Sequence, residues 1–265
     1  MQYLFDKWTE IQRIIKNKYI FFFLDFDGTL TSIAPTPDRV IISKETKDIL
    51  IQLSKAPKCK VAIISGRSLK DLKNIVSLKN IIYSGNHGLE IEGPKIKFEN
   101  EISPRLKEII GQIKNDLAIK LSKINGIFIE DKKLSLSIHY RLVNKKYIPL
   151  IKNILKEITE FYLIRKKIKI DSGKRVFEIK ADIGWNKGKV VLWLLAREQF
   201  LLKDNEILPI YIGDDTTDED AFKALKNRGI TIFVGKPRYS YAKYYLKNVK
   251  EVEKFLIKIL TIKNI

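Results

Sequence analysis

Apolar and polar residues follow two periods along this chain, and each period indicates a different kind of element. Short apolar runs, typical of strands buried on both faces, lie at 19–24, 60–65, 80–85 and 208–213. Between them, apolar residues recur every three or four positions, as in amphipathic helices. Alternation of buried strands with helices predicts βαβ units, and hence an α/β fold with a doubly wound, mostly parallel, Rossmann-like sheet.

The pattern changes between about 104 and 182. Ser103 and Pro104 open an amphipathic helix, and strict alternation in KLSLSIHYR predicts a half-buried antiparallel hairpin. A second helix and a second hairpin, turning around Asp171-Ser172-Gly173, complete an α-β-β-α-β-β block. Such a block can bury its own core, so we predict an inserted α+β domain.

We therefore predict a core domain whose sequence is interrupted once by the inserted domain. The core comprises residues 1–103 and 183–265, and the inserted domain comprises 104–182. WNKGKVVLWLLAREQF, at 185–200, is the predicted first helix after the insertion.

Helix starts in the core are predicted from capping residues. Ser43 is the expected N-cap of the helix after the first apolar run, and Ser68 caps the next helix. Thr216 and Glu219 have the spacing of a capping box for a helix after the last apolar run.

Composition narrows the class of protein. The 265 residues are 45% hydrophobic and 31% charged, which is typical of a globular chain, and the net charge is +19. A nucleic-acid partner is not favoured, because the basic residues are spread along the chain rather than clustered. A single cysteine, Cys59, excludes an internal disulfide. Without a recognisable leader pattern, we expect a cytoplasmic protein.

Carboxylates follow two of the apolar runs. Asp25 and Asp27 come directly after residues 19–24, and Asp214 and Asp215 come directly after residues 208–213. Carboxyl ends of parallel strands share one sheet edge, where ligands bind. Carboxylates gathered there repel one another, so a site that keeps them ionised favours a cation, and hard oxygen ligands favour Mg²⁺. The alternative is that loop acids cap helices, which suits Asp218 better than Asp25.

Several motifs carry a family resemblance. DFDGTLT, AIISGR, the lysine of GWNKG and YIGDDTTDEDAF resemble, in order, the four signature motifs of the haloacid-dehalogenase-like phosphohydrolases. GNHGLE, IEDKKLSLSIHYR and FEIKADIGWNKG resemble the trehalose-6-phosphate phosphatase family, whose cap of two hairpins is inserted in the core. The chain departs from the family pattern at Ser32 and at Lys180-Ala181.

The resemblance implies a role for each acid and for two further side chains. Asp25 would be the nucleophile that forms an aspartyl-phosphate. Asp27 would be the general acid and then the general base. Asp25, the backbone carbonyl of Asp27 and Asp214 would hold Mg²⁺. Ser65 and Lys187 would hold the phosphoryl oxygens.

The resemblance also implies the substrate-binding residues, which fall in two groups. Those matching the sugar-binding positions of the cap are Glu130, Lys132 and Glu178. Those expected to contact phosphate or sugar from the core are Arg67, Asn86 and His87. Outer-shell partners of the metal would be Asp215 and Asp218. His139 is left open between an ordinary half-buried hairpin histidine and a functional one.

We therefore predict a Mg²⁺-dependent phosphatase that hydrolyses trehalose 6-phosphate to trehalose and phosphate, the last step of trehalose synthesis. Its partner is a small-molecule sugar phosphate, and association with the trehalose-6-phosphate synthase is left open. One alternative is a capped phosphatase for sucrose phosphate or mannosyl-phosphoglycerate, or a phosphomannomutase-like transferase. The alternative from another class is a basic nucleic-acid-binding protein on an inactive scaffold.

Overall fold

The computed structural model describes residues 1–203 and 206–263. The strands of these residues are β1 (Gln2–Tyr3), β2 (Tyr19–Leu24), β3 (Cys59–Ile64), β4 (Ile82–Gly85), β5 (Glu90–Gly93), β6 (Ile96–Glu99), β7 (Phe128–Asp131), β8 (Ser135–His139), β9 (Ile168–Gly173), β10 (Val176–Ala181), β11 (Ile207–Gly213), β12 (Ile230–Val234) and β13 (Tyr244–Leu246). The helices are α1 (Trp8–Ile15), α2 (Lys44–Lys55), α3 (Leu69–Val76), α4 (Pro104–Leu121), α5 (Ile148–Ile164), α6 (Lys187–Leu202), α7 (Glu219–Leu225) and α8 (Val249–Lys263). None of these described helices has the length and apolarity needed to cross a bilayer.

The larger sheet has nine strands in the order β1-β13-β12-β11-β2-β3-β4-β5-β6. The first seven strands in this order, β1 through β13, β12, β11, β2 and β3 to β4, pair in parallel with their neighbours. Strand β5 is antiparallel to β4. The predicted doubly wound, mostly parallel sheet is confirmed. Its centre is β2 beside β11, with Leu24 level with Ile212, so the residues that follow these two strands emerge side by side.

The run Tyr19–Leu24 is a strand covered on both faces. Phe22 and Leu24 belong to a core cluster that includes Leu50 of α2 and Leu256 of α8. The alternate residues, such as Phe23, are also fully buried. Apolar side chains on both sides explain why this strand shows no alternation of polar residues.

Contacts divide the chain into two compact units. The core unit comprises residues 1–34, 38–98 and those from 186 onward, and the inserted unit comprises 35–37 and 99–185. The segment predicted as an inserted domain, 104–182, falls within the inserted unit.

The inserted unit has the predicted α-β-β-α-β-β order. Its four strands form an antiparallel sheet in the order β7-β8-β10-β9. Leu136 and Ile138 of β8 and Ile179 of β10 are fully buried, as are Ile113 and Ile151 of the two helices that pack on this sheet. The opposite, mainly polar face of the sheet carries Glu130, Ser137 and Glu178, together with the exposed ring of Phe128.

The predicted turn of the second hairpin is wrong. Strand β9 continues through Gly173, which pairs with Val176, and Asp171 lies opposite Glu178. The turn is Lys174-Arg175, where Arg175 has a left-handed φ of 70°. An ion pair between Asp171 and Lys180 gives the aspartate a partner within the sheet, so it does not mark a turn.

Three of the predicted N-caps are confirmed. The hydroxyls of Ser43, Ser68 and Ser103 accept hydrogen bonds from backbone N–H groups in the first turns of α2, α3 and α4.

The predicted capping box at Thr216 and Glu219 is wrong. The observed box joins Asp215 to Asp218 across a short 3-10 helix, Thr216–Asp218, that precedes α7. Aspartate is among the strongest N-cap residues. Moreover, the Asp218 carboxylate reaches back to the N–H of Asp215 at 2.9 Å, so the box lies one residue earlier.

Candidate active site

Two aspartates from distant parts of the chain converge at the carboxyl ends of β2 and β11. Asp25 follows β2, and its N–H donates to the carbonyl of Ile212 at 2.9 Å. Asp214 follows β11. Asp25 is 5% exposed and Asp214 is 2% exposed. Carboxylate oxygens of Asp25, Asp214 and Asp218 lie within 4.8 Å of one another. The ends of β2 and β11 thus bring Asp25 and Asp214 together, as their positions in the sequence indicated, and Asp218 of the 3-10 helix after β11 joins them.

Lys187 places a cation among these acids. It is the first residue of α6, is 3% exposed, and its Nζ lies 2.7 Å from Asp25 Oδ1 and 2.7 Å from Asp218 Oδ1. Burial alone would lower the pKa of Lys187, but the charges of Asp218 and Asp25 raise it well above the usual value. Burial raises the pKa of Asp25, and Lys187 opposes that shift. The lysine therefore stays charged and holds the predicted nucleophile in place.

The Asp218 carboxylate accepts four hydrogen bonds and links the other members of this cluster. Its Oδ1 accepts from Lys187 and from the hydroxyl of Tyr211, both at 2.7 Å. Its Oδ2 accepts from the N–H groups of Asp214 and Asp215, both at 2.9 Å. Four hydrogen bonds fill the lone-pair sites of an ionised carboxylate. Burial would raise the pKa of Asp218, but Lys187 and these donors lower it. Asp218 is thus a scaffold for Lys187 and for the chain at Asp214.

Tyr211 was missed by the sequence reasoning. It lies in β11, where its ring packs edge-on against Phe222 at 5.5 Å between centroids, and the apolar pattern there predicts only a core residue. Its hydroxyl donates to Asp218 within the buried cluster. Burial and the adjacent Asp218 carboxylate raise the pKa of Tyr211, so the phenol remains protonated and acts as a donor.

Asp27 is bound by an arginine. Arg67 Nε and Nη2 donate to the two carboxylate oxygens of Asp27, both at 2.8 Å, and Nη1 donates to Asp71 at 2.7 Å. Arg67 is 7% exposed. Burial would lower its pKa, but Asp27 and Asp71 raise it. In this structure the Arg67 guanidinium orients Asp27, the predicted acid-base residue. The predicted contact of Arg67 with substrate stays a prediction.

The other predicted core residues, Ser65, Asn86 and His87, lie in two linked loops after β3 and β4. Ser65 is 1% exposed, and its Oγ accepts from the N–H of Arg67 at 3.2 Å. The N–H of His87 donates to the carbonyl of Ser65 at 2.9 Å, and that of Asn86 to the carbonyl of Arg67 at 2.7 Å. Both Asn86 and His87 have left-handed φ angles, 49° and 55°. Cross-loop hydrogen bonds hold this uncommon backbone at the same sheet edge as the acids.

The predicted sugar-binding residues form a second cluster, within the inserted unit. Lys132 Nζ lies 2.9 Å from Glu178 Oε1 and 4.0 Å from Glu130 Oε2. The hydroxyl of Ser137 also donates to Glu178 Oε1 at 2.9 Å. Lys132 is 7% exposed and Glu178 is 9% exposed. The structure brings the three residues together, with the lysine between the two acids.

A parallel sheet with aspartates after two central strands, a buried lysine facing them and an inserted α+β unit defines a haloacid-dehalogenase-like phosphohydrolase. The trehalose-phosphatase family profile matches residues 23–250. The chain belongs to the trehalose-phosphatase family, and it is a phosphatase by membership of that family.

Relatives and solved structures agree with this assignment. The chain is 34% identical over 267 residues to trehalose-phosphate phosphatase B of Arabidopsis thaliana, with 95% of this chain and 69% of the relative covered. It is 34% identical over 261 residues to probable trehalose-phosphate phosphatase 4 of Oryza sativa subsp. japonica, covering 96% and 70%. The C-terminal domain of the C. albicans trehalose-6-phosphate phosphatase has a similar structure, with a TM-score of 0.84, 25% identity and 96% of each chain covered.

Proposed function

We propose that this chain hydrolyses trehalose 6-phosphate to trehalose and phosphate, with Mg²⁺ bound and through a phosphorylated Asp25. The observation that carries the proposal is the buried cluster of Asp25, Asp214, Asp218 and Lys187, in a chain of the trehalose-phosphatase family. The cluster offers a nucleophile, oxygen ligands and a fixed cation in one place. These are the groups that phosphoryl transfer to a carboxylate requires.

The first proposed step transfers the phosphoryl group to the protein. A carboxylate oxygen of Asp25 attacks phosphorus, and the bond between phosphorus and the sugar oxygen breaks. Asp27 donates a proton to that oxygen, so the sugar leaves as a neutral alcohol. Lys187, held 2.7 Å from Asp25 Oδ1, supplies positive charge to the phosphoryl oxygens, where charge is spread in the transition state. Ser65 would donate a hydrogen bond to the same oxygens.

The second step regenerates the carboxylate. Asp27, now ionised, takes a proton from water while the water oxygen attacks phosphorus, and the bond between phosphorus and Asp25 breaks. Inorganic phosphate leaves, and the proton on Asp27 is available for the next turnover.

The contact between Asp27 and Arg67 places a condition on this sequence. In this contact both carboxylate oxygens of Asp27 accept a hydrogen bond from one guanidinium, so both are engaged with Arg67. Asp27 must therefore exchange at least one of its two bonds with Arg67 before it protonates the leaving oxygen. The Nη1 bond to Asp71, on the first turn of α3, keeps Arg67 in place during that exchange.

The residues at the strand ends fit a divalent cation. The Asp25 and Asp214 carboxylates are hard oxygen ligands of the type that Mg²⁺ prefers, and their oxygens lie close enough to share an ion. Asp25, the carbonyl of Asp27 and Asp214 would hold it, whereas Asp218 has its acceptor sites filled by protein donors. When bound, Mg²⁺ supplies positive charge between the nucleophile and the phosphate, which would otherwise repel each other.

The substrate half of the proposal assigns sugar recognition to Glu130, Lys132 and Glu178 of the inserted unit. Carboxylates accept hydrogen bonds from sugar hydroxyls, and an ammonium group donates to them. Asn86 and His87 are proposed as further contacts from the core. A synthase partner and a cytoplasmic location remain expectations from the sequence.

The direct test is phosphate release by the purified protein over a panel of sugar phosphates, with added Mg²⁺ or with a chelator. We expect trehalose 6-phosphate to have the highest kcat/KM, and the chelator to abolish turnover until Mg²⁺ is restored. Preference for sucrose phosphate or mannosyl-phosphoglycerate would overturn the substrate assignment and keep the class. Turnover that needs a sugar bisphosphate and releases little phosphate would identify a mutase.

Gly28→Ala is expected to lower both the rate of turnover and the free energy of unfolding. Gly28 has a φ of 91°, and a β-carbon there would lie 1.9 Å from Asp214 Oδ2. Asp214 must therefore move. A shift of about 1 Å in a catalytic site can cost about 100-fold in rate, and the strained backbone adds about 1–3 kcal/mol of destabilisation. Steady-state kinetics and urea unfolding measure the two effects.

The matched control for Gly28→Ala is Gly111→Ala in α4, where an added β-carbon meets no atom within 4 Å beyond the adjacent residues and the helix's own backbone. This variant should keep its turnover and gain stability, since alanine favours a helix over glycine. Wild-type turnover in Gly28→Ala would show that the close approach to Asp214 has no catalytic consequence.

A further inference from the structure

His139 is fixed on the polar face of the inserted sheet by two contacts. Its Nε2 lies 2.8 Å from Glu130 Oε2, and its ring stacks on Phe128 with 5.7 Å between centroids and 29° between the planes. The side chain of His139 is 23% exposed and that of Glu130 is 22% exposed. The histidine is thus an ordered neighbour of a predicted sugar ligand.

The strand register explains why these side chains meet. Glu130 of β7 is level with Ser137 of β8, and Phe128 is level with His139. His139 is therefore on the same face as Glu130 and displaced from it along the strand by two residues. A long side chain reaches such a diagonal neighbour across an antiparallel pair. The arrangement is built into the pairing and does not depend on a loop.

The second predicted acid of the sugar site is held in a similar way. Glu178 of β10 is level with Ser137 of β8. Its Oε1 accepts hydrogen bonds from both the Ser137 hydroxyl and the Lys132 ammonium group. Glu130 and Glu178 therefore each accept a hydrogen bond from a side chain of a neighbouring strand or turn. A carboxylate ordered before the ligand arrives loses less conformational entropy when the ligand binds.

We propose that His139 is a positioning residue of the sugar site, which orients Glu130 through the Nε2–H···Oε2 hydrogen bond so that the carboxylate is preset for sugar hydroxyls. The inference rests on the proposed function, and it goes beyond it because no role was assigned to His139. The histidine acts through Glu130, so its removal should weaken substrate binding and leave phosphoryl transfer unchanged.

The test compares His139→Leu, which removes the donor, with His139→Gln, whose amide nitrogen reaches a similar position. Steady-state kinetics use trehalose 6-phosphate and p-nitrophenyl phosphate, which has a phosphate but no sugar. We expect His139→Leu to raise KM for trehalose 6-phosphate about tenfold, as for loss of a hydrogen bond to a charged group, with kcat within twofold. Turnover of p-nitrophenyl phosphate should not change, and His139→Gln should recover most of the affinity.

A double-mutant cycle with Glu130→Gln identifies the route of the effect. If His139 acts through Glu130, His139→Leu should add little to the KM of Glu130→Gln. Additive effects, a wild-type KM in His139→Leu, or an equal loss of kcat on both substrates would each overturn the proposal. Thermal unfolding of every variant separates a folding defect from a binding defect. If His139→Leu does not fold, His139→Asn, whose shorter amide does not reach Glu130, carries the test and should raise KM in the same way.

Failure of the proposed function has a different signature. A wild-type protein that hydrolyses p-nitrophenyl phosphate but not trehalose 6-phosphate would remove the substrate assignment, and the role of His139 with it. Normal wild-type turnover of trehalose 6-phosphate, with no change of KM in His139→Leu, would remove only the role of His139.

Discussion

Asp25→Asn is expected to abolish phosphate release, with kcat falling on the order of 10⁴-fold or more, as when an enzyme loses its nucleophile. An amide is a poor nucleophile, and the substitution also removes one negative partner of Lys187 and one proposed metal ligand. Asp218 still holds the lysine at 2.7 Å, so the fold should survive. Phosphate release from trehalose 6-phosphate at saturating Mg²⁺ measures the loss, and circular dichroism checks folding.

The matched control is Asp220→Asn, which makes the same chemical change at an exposed aspartate on α7. It should retain wild-type kcat. Residual turnover of Asp25→Asn above about one per cent of the wild-type rate would remove Asp25 as the nucleophile, since it exceeds the residual rate expected without one.

Lys187→Met is expected to lower the free energy of unfolding by about 3–5 kcal/mol, the usual cost of removing one partner from a buried ion pair. The methionine keeps most of the volume but leaves Asp25 and Asp218, both almost fully buried, without their shared cation. Turnover should also fall about 100- to 1,000-fold, because the phosphoryl oxygens lose a fixed positive charge. Urea unfolding without added metal, followed by kinetics with Mg²⁺, measures both changes.

Lys189→Met, two residues along α6 and exposed, is the control and should change neither quantity by much. Combining Lys187→Met with Asp218→Asn should recover part of the lost stability, since one uncompensated charge is then removed, but not the activity. If Lys187→Met were as stable as the wild-type protein, the lysine would not be the counter-ion of the buried acids.

The sequence was most informative where the location of a side chain follows from its position along a strand. Asp25 and Asp214 come directly after apolar runs, and parallel strands bring their carboxyl ends together, so the acid site could be located without coordinates. The sheet class and the α-β-β-α-β-β insertion followed from periodicity for the same reason. These features depend on local pattern and on general rules of chain topology.

The features that sequence reasoning missed depend on pairings that no local pattern encodes. The bidentate contact of Arg67 with Asp27 joins residues 40 positions apart and depends on the path of the loop after β3. Tyr211 sits in an apolar strand, so its hydroxyl gives no periodic signal. Aspartate and glycine at 171–173 favour a turn, yet the ion pair with Lys180 keeps Asp171 within β9.

The four hydrogen bonds of Asp218 restrict how this site can change. The same carboxylate aligns the ammonium group of α6, the phenol of β11 and the main chain that presents Asp214. Replacing Asp218 alone would leave all four donors without this acceptor, and would disturb the counter-ion of Asp25 and the main chain at Asp214 together. Asp218 therefore couples the stability of the cluster to its catalytic geometry without itself contacting the substrate in the proposed mechanism.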